Sequence, residues 1–96
     1  MGNRVTIWKF PVKIQVEPQK ISIPADSTLL TFGNQHGQLV AWVEVPVDHG
    51  EERIDVNVKT ALTGEEWECE DTWFWYETHQ FNGGDFIVHV YVKLTG

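Results

Sequence analysis

The four histidines are the residues best suited to catalysis or metal binding, and their spacing favours neither. They stand at positions 36, 49, 79 and 89. Metal sites on strands commonly use histidines at alternate positions with a third ligand nearby, and no such pair is present. His36 and His49 fall in predicted loops, and His79 and His89 could meet across a hairpin through a hydrogen bond. The sequence therefore predicts no metal site and no cofactor.

An acidic run over residues 65–71 contains five carboxylates and the one cysteine, Cys69. Oxygen-rich runs can bind calcium, but this one lacks the glycine-centred spacing of known calcium loops. We expect a solvated edge instead, where charge discourages strand-to-strand aggregation. The surrounding acids oppose the thiolate that a catalytic cysteine needs, and no Gly-x-Ser-x-Gly elbow or phosphate-binding glycine loop occurs. The sequence therefore predicts a protein that is not an enzyme.

Five tryptophans in 96 residues are more than a small core needs. Trp67, Trp73 and Trp75 crowd one region and cannot all be buried in it. Large aromatic side chains are enriched where proteins meet partners or flat ligands, and a planar ligand could stack on them with a cation near its anionic group. The predicted binding residues are Trp8, Trp75, Tyr76 and Tyr91 for stacking or interface contact, Lys9, Arg53 and Lys59 for an anion, and Thr78 and His89 for hydrogen bonds.

The charge and cysteine content narrow the possible partners and compartment. A net charge of −7 and a pI near 4.9, with basic residues scattered singly, argue against nucleic acid as a partner. A single cysteine cannot form an internal disulfide. The sequence shows neither a signal pattern nor an apolar run of membrane-spanning length. We therefore expect a cytoplasmic protein with no membrane partner.

Apolar and polar residues alternate with period two along most of the chain, and no window gives a clean helical stripe. This pattern predicts one domain over residues 1–96, an all-β antiparallel sandwich or partly open barrel of six to seven strands with little or no helix. Residues 34–37 read as a tight hairpin loop. The first predicted strand turns the apolar residues Trp8, Phe10, Val12, Ile14 and Val16 to one face. Residues 53–60 turn Ile54, Val56 and Val58 inward and Arg53, Asp55, Asn57 and Lys59 outward.

The last hairpin is the most informative element, and two registers remain open for it. A three-residue loop gathers Trp75, His79, His89 and Tyr91 on the face opposite the core. A two-residue loop instead buries Trp73 and Trp75 and pairs Thr78 with His89. In either register one face is too aromatic to be left in water. We expect another sheet, another subunit or a ligand to cover it.

Both ends of the chain resemble a group of small uncharacterised bacteriophage proteins. Residues 6–10 read TIWKF, and those proteins begin with TIWKF or TIWKY after a methionine and a few residues. Ile23-Pro24 is similar to their next motif. Gly83-Gly84 and His89-Val90-Tyr91 look like their ending, in which two glycines precede a few apolar residues and a His-Val-aromatic triplet.

The middle of the chain matches this group in part. Gln35-His36-Gly37 and Trp42 are similar to its Gln-x-Gly turn and tryptophan-containing strand. Those proteins often carry Gly-Thr-Gly-His-Pro after the following strand, where this chain reads KTALTG over residues 59–64. The resemblance therefore implies a phage origin and gives no role to a histidine at that point.

The sequence and the resemblance together predict a non-enzymatic phage accessory protein in the cytoplasm of an infected bacterial cell. It would bind and sequester a small anionic or nucleotide-like host molecule, such as a nucleotide immune signal. One alternative is a protein–protein inhibitor of a host enzyme or defence protein, since an acidic surface can imitate nucleic acid. Another is a small hydrolase or a phage structural accessory protein. A homo-oligomer is expected, because a small sheet with apolar groups on both faces needs cover.

Overall fold

The computed structural model describes residues 4–95 as seven antiparallel strands in two sheets, which confirms the prediction of a small all-β sandwich. The predicted domain, residues 1–96, includes residues 1–3 and 96, which lie outside the described residues. The elements in chain order are β1 (Val5–Pro11), β2 (Gln19–Pro24), β3 (Thr28–Gln35), β4 (Gln38–Pro46), β5 (Arg53–Leu62), β6 (Phe74–Phe81), a 3₁₀ turn (Asn82–Gly84) and β7 (Phe86–Thr95).

The two sheets differ in size. Sheet A has the strand order β1-β4-β3, and sheet B has the order β2-β5-β7-β6. Between them lies a core built from one face of each sheet, because successive side chains of a strand point to opposite faces. Val43 and Val45 of β4 are fully buried in the same cluster as Val58 and Val90 of sheet B. Each such valine contributes roughly 1.5–3 kcal/mol through burial.

The β3–β4 hairpin turns at His36 and Gly37, as the sequence predicts. Both residues take positive φ, 53° and 82°, the backbone that a tight two-residue hairpin turn requires. The Asn34 Oδ1 atom accepts a 2.8 Å hydrogen bond from the Gly37 amide and closes the turn.

The first strand is shorter than predicted. β1 is an edge strand, consistent with the missing amide hydrogen of Pro11, and it ends at that residue. Val12 is buried in the core, but Ile14 is exposed and Val16 is 68% exposed, so the single strand face predicted for residues 8–16 does not extend to these two residues. The chain leaves sheet A here and passes beside β5, where the Thr60 hydroxyl oxygen accepts a 3.0 Å hydrogen bond from the Gln15 amide. The alternation of apolar and polar residues continues past Pro11 in the sequence, although sheet A ends there.

The β6–β7 hairpin combines the two predicted registers. Phe81 pairs with Phe86 across a four-residue connection, and Thr78 pairs with His89, as in the two-residue prediction. A β-bulge between Trp75 and Glu77 then shifts the register and places Trp75 opposite Tyr91. Because one extra residue inverts the alternation, Trp75 and Thr78 share the outer face of sheet B.

The segment formed by residues 63–73, here called the covering segment, lies on the outer face of sheet B. Thr63, Glu65, Trp67 and Trp73 all contact side chains of β5 or β7 there. Asn57 and Lys59, predicted to point outward, are therefore buried beneath it. The acidic run belongs to this irregular segment and is not the predicted sheet edge. The chain itself supplies cover that we expected from another sheet, a subunit or a ligand.

The edges of β3 and β6 are joined by two neighbouring residues at the bulge. Glu77 accepts a 2.5 Å hydrogen bond from the Thr31 hydroxyl and a 3.2 Å bond from the Phe32 amide. The Tyr76 hydroxyl donates to the Leu29 carbonyl at 2.9 Å. Burial, with the nearby Glu77 carboxylate, raises the pKa of Tyr76, so the hydroxyl keeps its proton and remains a donor. These contacts hold sheet A against sheet B along one side.

Removing the Tyr76 hydroxyl tests this junction. We expect Tyr76→Phe to lower the free energy of unfolding by about 1 kcal/mol, because the Leu29 carbonyl loses its hydrogen bond. Urea denaturation measures the change. Tyr91→Phe is the matched control, since no hydrogen bond joins its hydroxyl to the described residues. Equal losses in the two variants would contradict a specific role for Tyr76.

Candidate functional site

The outer face of sheet B brings together six of the nine predicted binding residues. Strand alternation and the bulge at Tyr76 place all six on this face. β5 contributes two cations and β7 two hydrogen-bonding or aromatic groups, while β6 adds an indole and a hydroxyl. The six residues are Arg53, Lys59, Trp75, Thr78, His89 and Tyr91.

Lys59 is buried and its ammonium group is already paired. Only 2% of the residue is exposed. The Nζ atom donates to Glu65 Oε2 at 2.5 Å and to the Val16 carbonyl at 2.6 Å. This hydrogen bond from Lys59 holds the pKa of Glu65 below its ordinary value. Lys59 therefore anchors the covering segment to the sheet, and its charge is committed to Glu65.

Aromatic rings pack above this ion pair. The Trp67 ring meets Tyr91 edge-on at a centroid distance of 4.9 Å and Trp73 at 6.1 Å. The ammonium groups of Lys59 and Lys93 lie 5.5 Å and 4.8 Å from the ring centroids of Trp67 and Trp73. A cation over the face of an indole is attracted by the ring quadrupole. The two indoles are thereby fixed at about right angles to each other.

A cleft of about 300 Å³ opens between these rings and the sheet. Its lining includes Trp67, Trp73, Lys93, Glu68 and Glu70. Lys93 forms no ion pair among residues 4–95, so its ammonium group is the cation open to a ligand in this cleft. The cleft offers the half-buried Trp67 indole for stacking next to the buried Trp73 ring, with one ammonium donor and two carboxylate acceptors. This set can hold a planar molecule by its faces and edges.

Trp75 does not line the cleft; it lies opposite Tyr91 on the same face of sheet B, at the end of a hydrogen-bonded chain. Its indole Nε1–H donates to Thr78 Oγ1 at 2.9 Å, and that oxygen lies 3.1 Å from His89 Nδ1. His89 Nε2 lies 2.8 Å from the Thr63 hydroxyl oxygen. The ring of Trp75 is 57% exposed, although its orientation is fixed. An exposed and oriented indole loses little conformational entropy when a ligand stacks on it.

The remaining predicted binding residues lie away from the cleft. Trp8 packs beside Phe10 on sheet A. Lys9 donates to Gln35 Oε1 at 2.7 Å, and Tyr76 joins the two sheets. Arg53, although on the outer face of sheet B, donates to the hydroxyl and carbonyl oxygens of Ser22 and does not line the cleft.

Several cleft residues were absent from the predicted binding set. These residues, which all line the cleft, are Trp67, Trp73, Lys93, Glu68 and Glu70. The crowding of three tryptophans and the position of Lys93 on the aromatic face of β7 were signals in the sequence. The path of the covering segment had no such signal, because an irregular segment has no periodic pattern of apolar residues.

The two histidines of the last hairpin do not meet. His79 pairs with Val88 and its Nε2 atom lies 2.7 Å from Glu77 Oε1, on the face opposite His89. The contact across the hairpin that the sequence allowed does not form, because His89 pairs with Thr78 and neighbouring residues of a strand point to opposite faces. Within residues 4–95 no three metal-binding side chains cluster. No helix in that part of the chain has the length and apolar character to cross a membrane.

Comparison with known proteins gives one match. The family model described as "Domain of unknown function (DUF7352)" covers residues 3–95. No curated protein and no solved structure matches the chain.

The ion pair beneath the cleft gives a pH-dependent prediction. We expect Glu65→Gln to lower the free energy of unfolding by about 2 kcal/mol at pH 7, because Lys59 stays buried without its counter-charge. The folded-state pKa of Glu65 is lowered. The ion pair therefore contributes fully to the free energy of unfolding when the solution pH is above the ordinary glutamate pKa of about 4.3. It is lost as pH falls through the lower folded-state value.

Denaturation of the Glu65 variant at several pH values measures this loss. The matched control is Glu66→Gln, which removes a neighbouring exposed carboxylate of the same segment. A pH-independent difference between the two variants would contradict the ion-pair account.

The hydrogen-bonded chain at Trp75 gives a separate prediction. Thr78→Val keeps the side-chain shape but removes the acceptor of the indole Nε1–H. We expect faster exchange of that proton with water and a shift of its nuclear magnetic resonance signal. Thr6→Val on β1 is the control. An unchanged Trp75 signal in Thr78→Val would show that the hydrogen bond to Thr78 does not orient the indole ring.

Proposed function

We propose that this chain, which belongs to the DUF7352 family of domains of unknown function, is a non-enzymatic binding module for a small planar molecule. The binding site is the cleft between the covering segment and the outer face of sheet B. The ligand class we propose is a nucleoside or a nucleotide with few phosphates. The resemblance of both chain ends to bacteriophage proteins supports a further step, in which the protein sequesters a nucleotide immune signal of an infected bacterial cell.

The observation that carries this proposal is the pair of fixed indoles beside the Lys93 ammonium group, which lies over Trp73 and forms no ion pair within residues 4–95. Small-molecule sites are mostly apolar concavities of about 300 Å³ or more with a few placed polar groups. The cleft, at about 300 Å³, is at the lower end of that range. Such a volume suits one heteroaromatic ring system and its sugar.

The charges of the cleft select among planar ligands. Glu65 neutralises Lys59, which leaves the one positive charge of Lys93 against the two negative charges of Glu68 and Glu70 along the lining. A polyphosphate would meet a net repulsive surface. A single phosphate could sit at Lys93, while ring amino groups could donate to Glu68 or Glu70. Nucleobases offer such amino groups together with a π-face for stacking.

The aromatic surface extends beyond the cleft. Tyr91 packs on Trp67, and Trp75 lies opposite Tyr91 in the neighbouring strand. The exposed Trp75 is therefore a second aromatic surface on this face of sheet B, outside the lining of the cleft. This arrangement supports a role for three of the predicted residues, Trp75, Thr78 and His89, in presenting a second stacking surface.

Isothermal titration with a panel of ligands tests the proposal. The panel contains adenosine, guanosine, their monophosphates, a cyclic dinucleotide, ADP-ribose and ATP. We expect measurable binding of at least one nucleoside or monophosphate and weaker binding of ATP. Lys93→Gln should weaken monophosphate binding by about tenfold, which corresponds to about 1.4 kcal/mol, and should leave nucleoside binding nearly unchanged.

Lys9→Gln is the matched control, because Lys9 also lies over an indole, that of Trp42 at 6.0 Å, but on sheet A. Equal weakening in both lysine variants would reject the cleft as the site. Failure of the whole panel to bind at millimolar concentration would reject the proposed ligand class.

A further inference from the structure

A second cavity lies on the opposite side of sheet B, between the sheets at one end of the sandwich. Its volume is about 270 Å³. Ile23, Ile54, Val56 and Val92 form its apolar wall, and Ser27, which immediately precedes β3, also lines it. None of its lining residues carries a charge. This cavity shares no lining residue with the cleft of the proposed function.

The mismatch between the two sheets creates this opening. Sheet B has four strands and sheet A has three, so part of the inner face of sheet B has no strand above it. Phe74 and Leu94 lie on that inner face by register, because Phe74 pairs with Val92 and Leu94 pairs with Val56. They are nevertheless 49% and 61% exposed. These two side chains form an apolar rim at the cavity mouth.

A hydroxyl group at the cavity distinguishes it from a packing defect. The Ser27 Oγ atom is buried and has no hydrogen-bond partner among the described residues. A buried hydroxyl without a partner is destabilising, because its lost hydrogen bonds to water are not replaced. Two further residues of the lining carry hydroxyl groups: the exposed Thr28, and Tyr76, whose hydroxyl donates to the carbonyl groups of Leu29 and Leu30. Ser27 is therefore the buried hydroxyl of this mainly apolar wall that has no partner among the described residues.

We propose that this cavity binds a neutral aromatic alcohol or phenol, with its ring among the valine and isoleucine side chains and its hydroxyl group bonded to Ser27. An apolar cavity of about 150 Å³ holds benzene, so a cavity of about 270 Å³ has room for a bicyclic ring. The absence of charge from the lining selects a neutral ligand. The free hydroxyl selects a ligand with a hydrogen-bonding group over a hydrocarbon of the same shape.

A matched pair of probes, 2-naphthol and naphthalene, tests this site. We expect nuclear magnetic resonance titration to shift the methyl signals of Ile23, Val56 and Val92, with 2-naphthol binding about tenfold more tightly than naphthalene. Ser27→Ala should abolish that preference while leaving naphthalene binding unchanged. Because the substitution removes an unpaired buried hydroxyl, it should not destabilise the fold.

Ser22→Ala is the control, since that hydroxyl lies on the outer face of sheet B and accepts a hydrogen bond from Arg53. Equal affinity for the two probes, or an unchanged preference in Ser27→Ala, would overturn the role of Ser27. Failure of both probes to bind would overturn the site. Shifts confined to Trp67 and Trp73 would place the ligand in the outer cleft, so the result does not depend on the proposed function.

Discussion

The ion pair between the buried Lys59 and the half-buried Glu65 is the constraint on which the outer face of sheet B depends. The covering segment has no regular secondary structure, although the Thr63 amide at its start donates a 3.3 Å hydrogen bond to the Ile87 carbonyl of β7. It is held by this ion pair, by the hydrogen bond between Thr63 and His89, and by the packing of Trp67 on Tyr91. A lysine buried in a sheet is tolerated only where its charge is matched. The position of the acidic residue therefore fixes where the segment crosses the sheet.

Sheet B carries two cavities of different chemistry because its central strands present alternate residues to its two faces. In β5, Val56 lines the inner cavity and its neighbour Asn57 lines the outer cleft. In β7, Val92 and Lys93 divide in the same way. The inner cavity is apolar and uncharged, whereas the outer cleft is aromatic and carries both signs of charge. Period-two alternation, which produces the core, also produces this separation.

The strands and the first hairpin could be predicted from sequence because both depend on local rules. Alternation predicted the inward residues of β5, and residues 34–37 predicted the turn at His36 and Gly37. The burial of Lys59 could not be predicted, because it depends on a distant segment without periodicity. The prediction that Ile14 and Val16 share a strand face with Val12 failed for a related reason. Alternation shows which residues share a face, but not where the sheet ends.

The binding residues were predicted where they lie on strands and missed where they lie on the covering segment. Trp75, Thr78 and His89 were predicted from the hairpin, and they form one hydrogen-bonded chain. Trp67 and Glu68 lie on the irregular covering segment, so the sequence pointed to them only through the crowding of tryptophans and acidic residues in that region. The bulge at Tyr76 was also invisible, since a bulge inserts one residue without changing composition.

That bulge gives β6 two halves of opposite phase. Before it, the odd-numbered Trp75 points outward, and after it the even-numbered Thr78 does so. Deletion of one residue at the bulge would return the strand to a single phase. Trp75 would then turn inward if the hairpin tip kept its register, and Thr78 would turn inward if the strand start kept its register. The number of residues in β6 is therefore more tightly restrained than their identity. Insertions and deletions should be accommodated in the connection formed by residues 82–85.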